Sequence, residues 1–119
     1  MKIVGLTSSL AFVLALAVIA MAQPFNLEAT AARESAADAA ELFSRHCAKC
    51  HGKDGKAKGF KAKTTGTRNL THPQWQDRVS DERIFNSINN GKGRMPAFGK
   101  KLSETEIDSL VRYVRGLKK

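Results

Sequence analysis

Residues 44–59 read SRHCAKCHGKDGKAKG, which places Cys47 and Cys50 two residues apart and His51 directly after the second cysteine. Cysteine pairs of this spacing occur in redox dithiols, zinc sites, short disulfides and covalent cofactor attachment sites. A redox dithiol is expected at the head of a helix within a βαβ pattern, whereas this pair follows a helical pattern with no strand pattern around it. A disulfide across two residues would close too short a loop to stabilise the chain much.

The other histidines decide between zinc and a covalent cofactor. Structural zinc takes four ligands, usually in two pairs, but His46 is adjacent to the cysteines and His72 has no partner motif near it. The spacing C-x-x-C-H is typical of haem attachment, in which both thiols add to haem vinyl groups and the histidine binds the iron. We therefore predict that Cys47, Cys50 and His51 hold one covalent haem c, because the motif occurs once.

The N-terminal segment predicts export, which agrees with haem attachment outside the cytoplasm. Residues 10–20 (LAFVLALAVIA) are almost wholly apolar, and the following Ala-Met-Ala ends at Ala22 in a pattern that suits signal peptidase. We expect residues 1–22 to be a cleaved signal peptide and the protein to lie in the periplasm. The alternative is an uncleaved anchor on the outer face of the inner membrane, since the uncharged stretch is nearly long enough to cross a bilayer.

Residues 23–34 are predicted to form a linker or N-terminal arm, and residues 35–119 a single domain. Apolar residues at three- and four-residue spacing predict three main helices in this domain. Their expected extents are about 36 to 47, from the cap Ser80 to Asn90, and from the capping box at Ser103 to the C-terminal lysines.

The segment from Gly52 to Val79 is rich in Gly, Lys and Thr and has no alternating strand pattern. A loop of this length without secondary structure is unusual inside a small domain, so we expect something besides a protein core to organise it. A domain of this size also gains from a buried prosthetic group, because its own core is small.

A haem iron in an electron carrier needs a ligand opposite His51. The candidates are Met95, His46 and His72, and Met95 is the methionine that remains once residues 1–22 are removed. A thioether is a soft iron ligand, and the flanking Gly93 and Pro96 predict a tight, extended loop. We predict Met95 as the sixth ligand.

Three stretches resemble the class I cytochromes c, the small soluble monohaem type: LFSRHCAKCHGKDG (42–55), SDERIFNSINNGKGRMPAFG (80–99) and LSETEIDSLVRYVRGL (102–117). The resemblance implies an all-α cytochrome c fold, with three main helices and long loops wrapped around one covalently bound haem. It also implies thioethers at Cys47 and Cys50, with His51 and Met95 as the axial ligands.

The same resemblance predicts side-chain contacts within the fold. Phe43 and Tyr113 fall where the family packs an aromatic before the first cysteine against one in the last helix. Ala39 stands where the family usually has glycine, so we expect a slightly wider crossing of the first and last helices. Trp75 is expected beside the haem, either filling apolar volume or donating its indole N–H to a propionate.

The formal net charge of +9 suggests the kind of partner. Basic residues flank both the attachment motif and the Met95 loop, which favours acidic redox-partner proteins. Nucleic-acid binding is not indicated, because the lysines lack interleaved aromatics or a recognition motif. We predict a monomeric electron carrier rather than an enzyme. The alternative is a haem peroxidase or gas-binding cytochrome whose sixth ligand is displaced easily, with His72 as a distal group.

Overall fold

The computed structural model describes residues 25–119, and within them the regular structure is helical apart from one isolated bridge between Lys92 and Met95. This confirms the prediction of an all-α fold. The helices have the following bounds: α1 Phe25–His46, α2 Ala48–His51, α3 Phe60–Thr65, α4 Pro73–Arg78, α5 Asp81–Asn90 and α6 Glu104–Gly116.

The chain divides by its internal contacts into two units, Met1–Glu34 and Ser35–Lys119. The predicted signal peptide, residues 1–22, lies outside the described residues, so it stays a prediction. Within residues 25–119, no helix is both long enough and apolar enough to cross a bilayer.

The starts of α5 and α6 follow from local capping, as the sequence predicts. The Ser80 side chain accepts a hydrogen bond from the Arg83 backbone N–H at the start of α5. At α6, Ser103 accepts from the Glu106 N–H while the Glu106 carboxylate accepts from the Ser103 N–H, which completes a capping box. The hydrogen bonds that the carboxylate accepts from the Ser103 N–H and hydroxyl hold the pKa of Glu106 below its ordinary value.

Two expectations about the helices were wrong. The first helix begins at Phe25 rather than near residue 36, so it covers most of the predicted linker. The segment from Gly52 to Val79 contains the short helices α3 and α4 and is therefore not one structureless loop. Helices of six residues gain little from propensity and depend on tertiary contacts, which explains why no periodic pattern marks them.

The core lies among α1, α5, α6 and the loops that lead into them. Phe43, Ile107 and Leu110 are fully buried at its centre. The ring centroids of Phe43 and Tyr113 lie 4.9 Å apart, which confirms the predicted aromatic contact. Ala39, at the position where the resembling family has glycine, is 2 % exposed.

Residues 91–99, here called the Met95 loop, are tied to the end of α5. The N–H groups of Phe98 and Gly99 donate to the carbonyls of Ile88 and Asn89, at 2.9 and 3.0 Å. These carbonyls belong to the last turn of the helix, where no intrahelical donor is available. The loop therefore completes the C-terminus of α5 and is held in place by it.

Gly91 is the residue that permits this close approach. It adopts a φ of +75°, and a Cβ there would lie 2.7 Å from the Met95 carbonyl oxygen and 2.9 Å from the Ala97 nitrogen. We expect Gly91→Ala to lower the free energy of unfolding by about 1–3 kcal/mol, because both the left-handed backbone and the contact with backbone atoms resist a side chain. Denaturant unfolding of the haem-loaded protein measures the change.

Gly59→Ala is the matched control. Its φ of −67° suits any residue, and no atom lies within 4 Å of a Cβ built there. This variant should unfold within about 0.5 kcal/mol of the parent protein. Equal stability of the two variants would contradict the role given to Gly91.

Candidate haem-binding site

The two cysteines and His51 lie on the single turn α2 and at its start. The N–H groups of Cys50 and His51 both donate to the Cys47 carbonyl, at 3.1 and 3.0 Å, and the Gly52 N–H closes the turn on the Ala48 carbonyl. Both cysteines are free thiols and half-buried. The turn thus gathers two thiols and an imidazole within one short, hydrogen-bonded stretch of backbone.

His51 is oriented by a backbone carbonyl across the loop. Its Nδ1 lies 3.0 Å from the Arg68 carbonyl oxygen. A carbonyl only accepts, so Nδ1 carries the proton and Nε2 keeps its lone pair, the tautomer that a metal ligand requires. Burial lowers the pKa of His51 and outweighs the opposing effect of the Arg68 hydrogen bond. Burial therefore favours the neutral imidazole, and the hydrogen bond to Arg68 fixes its orientation.

The Cys47 thiol is not a reactive thiolate in this environment. Burial, and to a lesser extent the neighbouring Cys50, raise its pKa to about 11. Redox dithiols and zinc sites both use the thiolate, so this environment favours neither. Within residues 25–119, no group of three or more His, Cys, Asp or Glu side chains is arranged to hold a metal ion.

The buried side chain of Gln76 holds in place the loop segment that follows Arg68. Gln76, 4 % exposed, donates through Nε2 to the carbonyls of Leu70 and Val114, at 2.7 and 2.8 Å. Arg115 in turn donates to the carbonyl and side-chain oxygens of Gln76, at 2.6 and 3.1 Å. This network joins the loop next to His51 to α4 and α6.

Gln76 and Arg68 are the functional residues that the sequence did not reveal. Arg68 acts through its carbonyl, which every residue possesses, so its side chain gives no signal. Gln76 lies in the polar stretch PQWQDR and has the appearance of a surface residue.

Met95 lies on the loop between α5 and α6 and contacts the same core. It is half-buried and packs against the core cluster, as Cys47 does. Its backbone exchanges two hydrogen bonds with Lys92, at 3.0 and 3.1 Å, which close the turn around Gly93. The neighbouring Arg94 donates to the Thr64 carbonyl at the end of α3 and so connects the Met95 loop to the segment after the cysteines.

The remaining candidates differ in their burial. Trp75, on α4, is half-buried and packs against the core cluster. His46 ends α1, and its ring lies 5.7 Å from the ring of Phe98, centroid to centroid. His72 is exposed and precedes α4, where its carbonyl accepts hydrogen bonds from the first turn.

These donors fit a covalently bound haem. One free thiol lies at the start of α2 and another within it, the His51 Nε2 is presented as a ligand, and a soft thioether is held against the same core. A thioether and an imidazole are a ligand pair that suits haem iron in an electron carrier.

Comparisons with known proteins identify the family. The family model described as "Cytochrome C oxidase, cbb3-type, subunit III" matches residues 34–114. A cytochrome c6 from Picosynechococcus is 31 % identical over 105 residues, which is 85 % of this chain and 89 % of that protein. The chain belongs to the class I monohaem cytochromes c. Its cofactor is accordingly a covalent haem c with its iron, and its general function is electron transfer.

Two further relatives show how far the similarity of this cytochrome to known proteins extends. The solved structure of the KustC0563 c-type cytochrome is 40 % identical, has a TM-score of 0.65, and is matched over 69 % of this chain and 99 % of its own. The FixP subunit of a cbb3-type oxidase from Azorhizobium caulinodans is 40 % identical over 79 residues, but the cytochrome spans only 26 % of its length. Neither name identifies the redox partner of this chain.

The Gln76 network gives a prediction about stability. Gln76→Leu keeps the volume but leaves the buried Leu70 carbonyl without its donor and removes one of the acceptors of the Arg115 guanidinium, so we expect the cytochrome to lose about 1–3 kcal/mol of unfolding free energy. Denaturant unfolding of the haem-loaded protein measures this loss. Gln74→Leu, on the exposed side of the same helix, is the control and should change stability by less than about 0.5 kcal/mol. A Gln76→Leu variant as stable as this control would show that the network carries no weight.

Proposed function

We propose that this cytochrome is an exported, monomeric carrier of single electrons, with thioether bonds at Cys47 and Cys50 and axial ligation by His51 and Met95. The hydrogen bond between His51 Nδ1 and the Arg68 carbonyl is the observation that carries the proposal, because it presents Nε2 as a ligand. The haem supplies an iron that alternates between two oxidation states when it is bound.

The protein holds both proposed iron ligands in fixed positions, which suits repeated oxidation and reduction of the iron. Arg68 and Gln76 keep the imidazole in one orientation, and Gly91, Phe98 and Gly99 hold the Met95 loop on α5. Both proposed ligands are thus borne by backbone that is fixed elsewhere, so a change of charge at the site requires little movement of the protein. Trp75 is proposed to fill the apolar volume beside the haem.

Export and partner class complete the proposal. The predicted signal peptide, residues 1–22, directs the chain to the periplasm, where cytochromes of this type acquire their haem. The basic surface favours acidic redox proteins as donor and acceptor.

The proposed thioethers predict a graded loss of attachment. Cys47→Ser or Cys50→Ser should leave one covalent bond to the haem, and the double variant should leave none. Mass spectrometry of the denatured protein, together with the spectrum of its reduced pyridine complex, measures the attachment. Lys49→Ser, an exposed position between the two cysteines, is the control and should keep both bonds. Covalent haem in the double variant would refute this assignment.

The proposed Met95 ligand predicts a closed sixth position. The oxidised parent protein should show the weak near-infrared sulfur-to-iron band, and its reduced form should bind carbon monoxide poorly. Met95→Ala should abolish the band, bind carbon monoxide readily and have a lower reduction potential, because methionine ligation raises the potential.

Two control variants separate this role from the alternatives. Lys92→Gln, exposed in the same turn, and His72→Ala, the rival ligand, should both keep the near-infrared band. Absence of the band in the parent protein, together with ready binding of carbon monoxide by His72→Ala but not by Met95→Ala, would transfer the ligand role to His72. Ready binding of carbon monoxide by the parent protein would favour the peroxidase or gas-binding alternative.

A further inference from the structure

One large apolar side chain is out of place on the surface. Among the side chains that the structure describes, Phe60 is the exposed large hydrophobic, with 83 % of its surface accessible. A single exposed apolar residue is ordinary by itself. What distinguishes Phe60 is the rigidity of the helix that carries it, the location of that helix, and the charges around it.

The helix α3 holds Phe60 in a fixed position. Ala62 is 2 % exposed and lies two residues further on, about 200° around the helix, so it anchors the face opposite Phe60. Gly66 ends the helix in the left-handed conformation and donates to the Ala62 carbonyl. The hydroxyls of Thr64 and Thr65 donate to the Lys61 carbonyl, at 3.0 and 2.7 Å. Phe60 is thus presented by a closed, anchored turn.

This turn lies beside both segments that hold the haem. It packs against α2, the turn that carries Cys50 and His51. At its C-terminal end, the Thr64 carbonyl accepts a hydrogen bond from Arg94, the neighbour of Met95. A protein bound over α3 would therefore be close to the haem attachment site, where short electron-transfer distances are available.

The charges around Phe60 are cationic and unpaired. Residues 47–66 contain one acid, Asp54, and six lysines: Lys49, Lys53, Lys56, Lys58, Lys61 and Lys63. Within the described part of the chain, none of these six ammonium groups has a carboxylate at ion-pair distance. Cations elsewhere do form ion pairs, as Arg45 does with Glu41, Arg115 with Asp81, and Lys118 with Asp77. The lysines near Phe60 are therefore available to carboxylates of another molecule.

We infer that Lys58, Phe60, Lys61 and Lys63, the Phe60 patch, form the docking surface for an acidic electron-transfer protein. The partner would offer an apolar recess for the phenyl ring and carboxylates around it. The lysines would accelerate the encounter, and the ring would slow dissociation, as aromatic anchors do at the centre of protein interfaces. This inference rests on the proposed function as an electron carrier.

The test uses the haem-loaded protein and reduced flavodoxin, a small acidic flavoprotein, as the electron donor. Each encounter transfers one electron from the flavin to the haem. We expect Phe60→Ala to lower the second-order rate constant at low ionic strength about fivefold to tenfold. Lys61→Gln/Lys63→Gln should lower it by a similar factor and weaken its dependence on salt.

Matched variants control for charge and for apolar surface. Arg83→Gln/Arg112→Gln removes the same charge from exposed positions outside the patch and should change the rate less than about twofold. Phe60→Leu keeps an apolar side chain and should retain most of the rate. NMR titration of labelled protein with flavodoxin should shift signals in residues 53–66 more than elsewhere.

Several results would overturn the inference. A Phe60→Ala variant as fast as the parent, or NMR shifts centred outside residues 53–66, would exclude the patch as the docking surface. A changed reduction potential in Phe60→Ala would mean that the ring serves the haem rather than a partner. Weaker binding of Phe60→Ala to phosphatidylglycerol vesicles, with an unchanged flavodoxin rate, would assign the patch to a lipid surface.

Failure of the proposed function has a separate signature. If the parent protein accepts no electron from ascorbate or from flavodoxin, the assignment as an electron carrier is wrong. If the parent accepts electrons from both and Phe60→Ala matches it with both, only the docking inference is wrong. Ascorbate should reduce the parent and Phe60→Ala at equal rates, because this substitution changes neither the charge nor the haem donors.

Discussion

The hydrogen bond from His51 Nδ1 to the Arg68 carbonyl orients the proposed iron ligand, and the proposed function depends on it. A carbonyl in a loop can orient an imidazole only if the loop itself is fixed. The Leu70 N–H therefore donates to the Gly55 carbonyl at 2.8 Å, and the Leu70 carbonyl accepts from Gln76. Hydrogen bonds from the backbone and from Gln76 thus fix this segment, together with Leu70 and Trp75, which lie in or against the core cluster.

The Met95 loop is held rigid by hydrogen bonds to the C-terminal end of α5. Its own N–H groups serve the terminal carbonyls of α5, so the loop and the helix end satisfy each other's hydrogen bonds. The glycines make this exchange possible: a Cβ at Gly99 would lie 2.2 Å from the Asn89 Oδ1, just as one at Gly91 would meet the backbone of the loop. Small residues here determine how closely the two segments approach.

The sequence predicted those parts of the fold and site that have local causes. The helices α5 and α6 were predicted because each capping residue lies next to the helix start that it stabilises. The role of the Cys47–His51 motif was predicted because the spacing of its three side chains is typical of haem attachment. The early start of α1 and the helices α3 and α4 were missed, since short or alanine-rich segments depend on partners distant in sequence. Gln76 was missed for the same reason: its acceptors, Leu70 and Val114, are brought to it only by the fold.

The inferred docking role accounts for the unpaired charges near Phe60. Exposed ion pairs contribute little to stability, so pairing the lysines near Phe60 would gain the fold almost nothing. Leaving these lysines unpaired gives a positive potential next to the haem-binding turn, which raises the association rate without greatly raising the affinity of the complex. A carrier must leave its partner after each electron, so a single apolar side chain among solvated charges suits this task better than a broad hydrophobic face. The inferred docking role therefore asks for speed from the surface near α3, while the buried Gln76 network makes the segment after the haem-binding turn rigid.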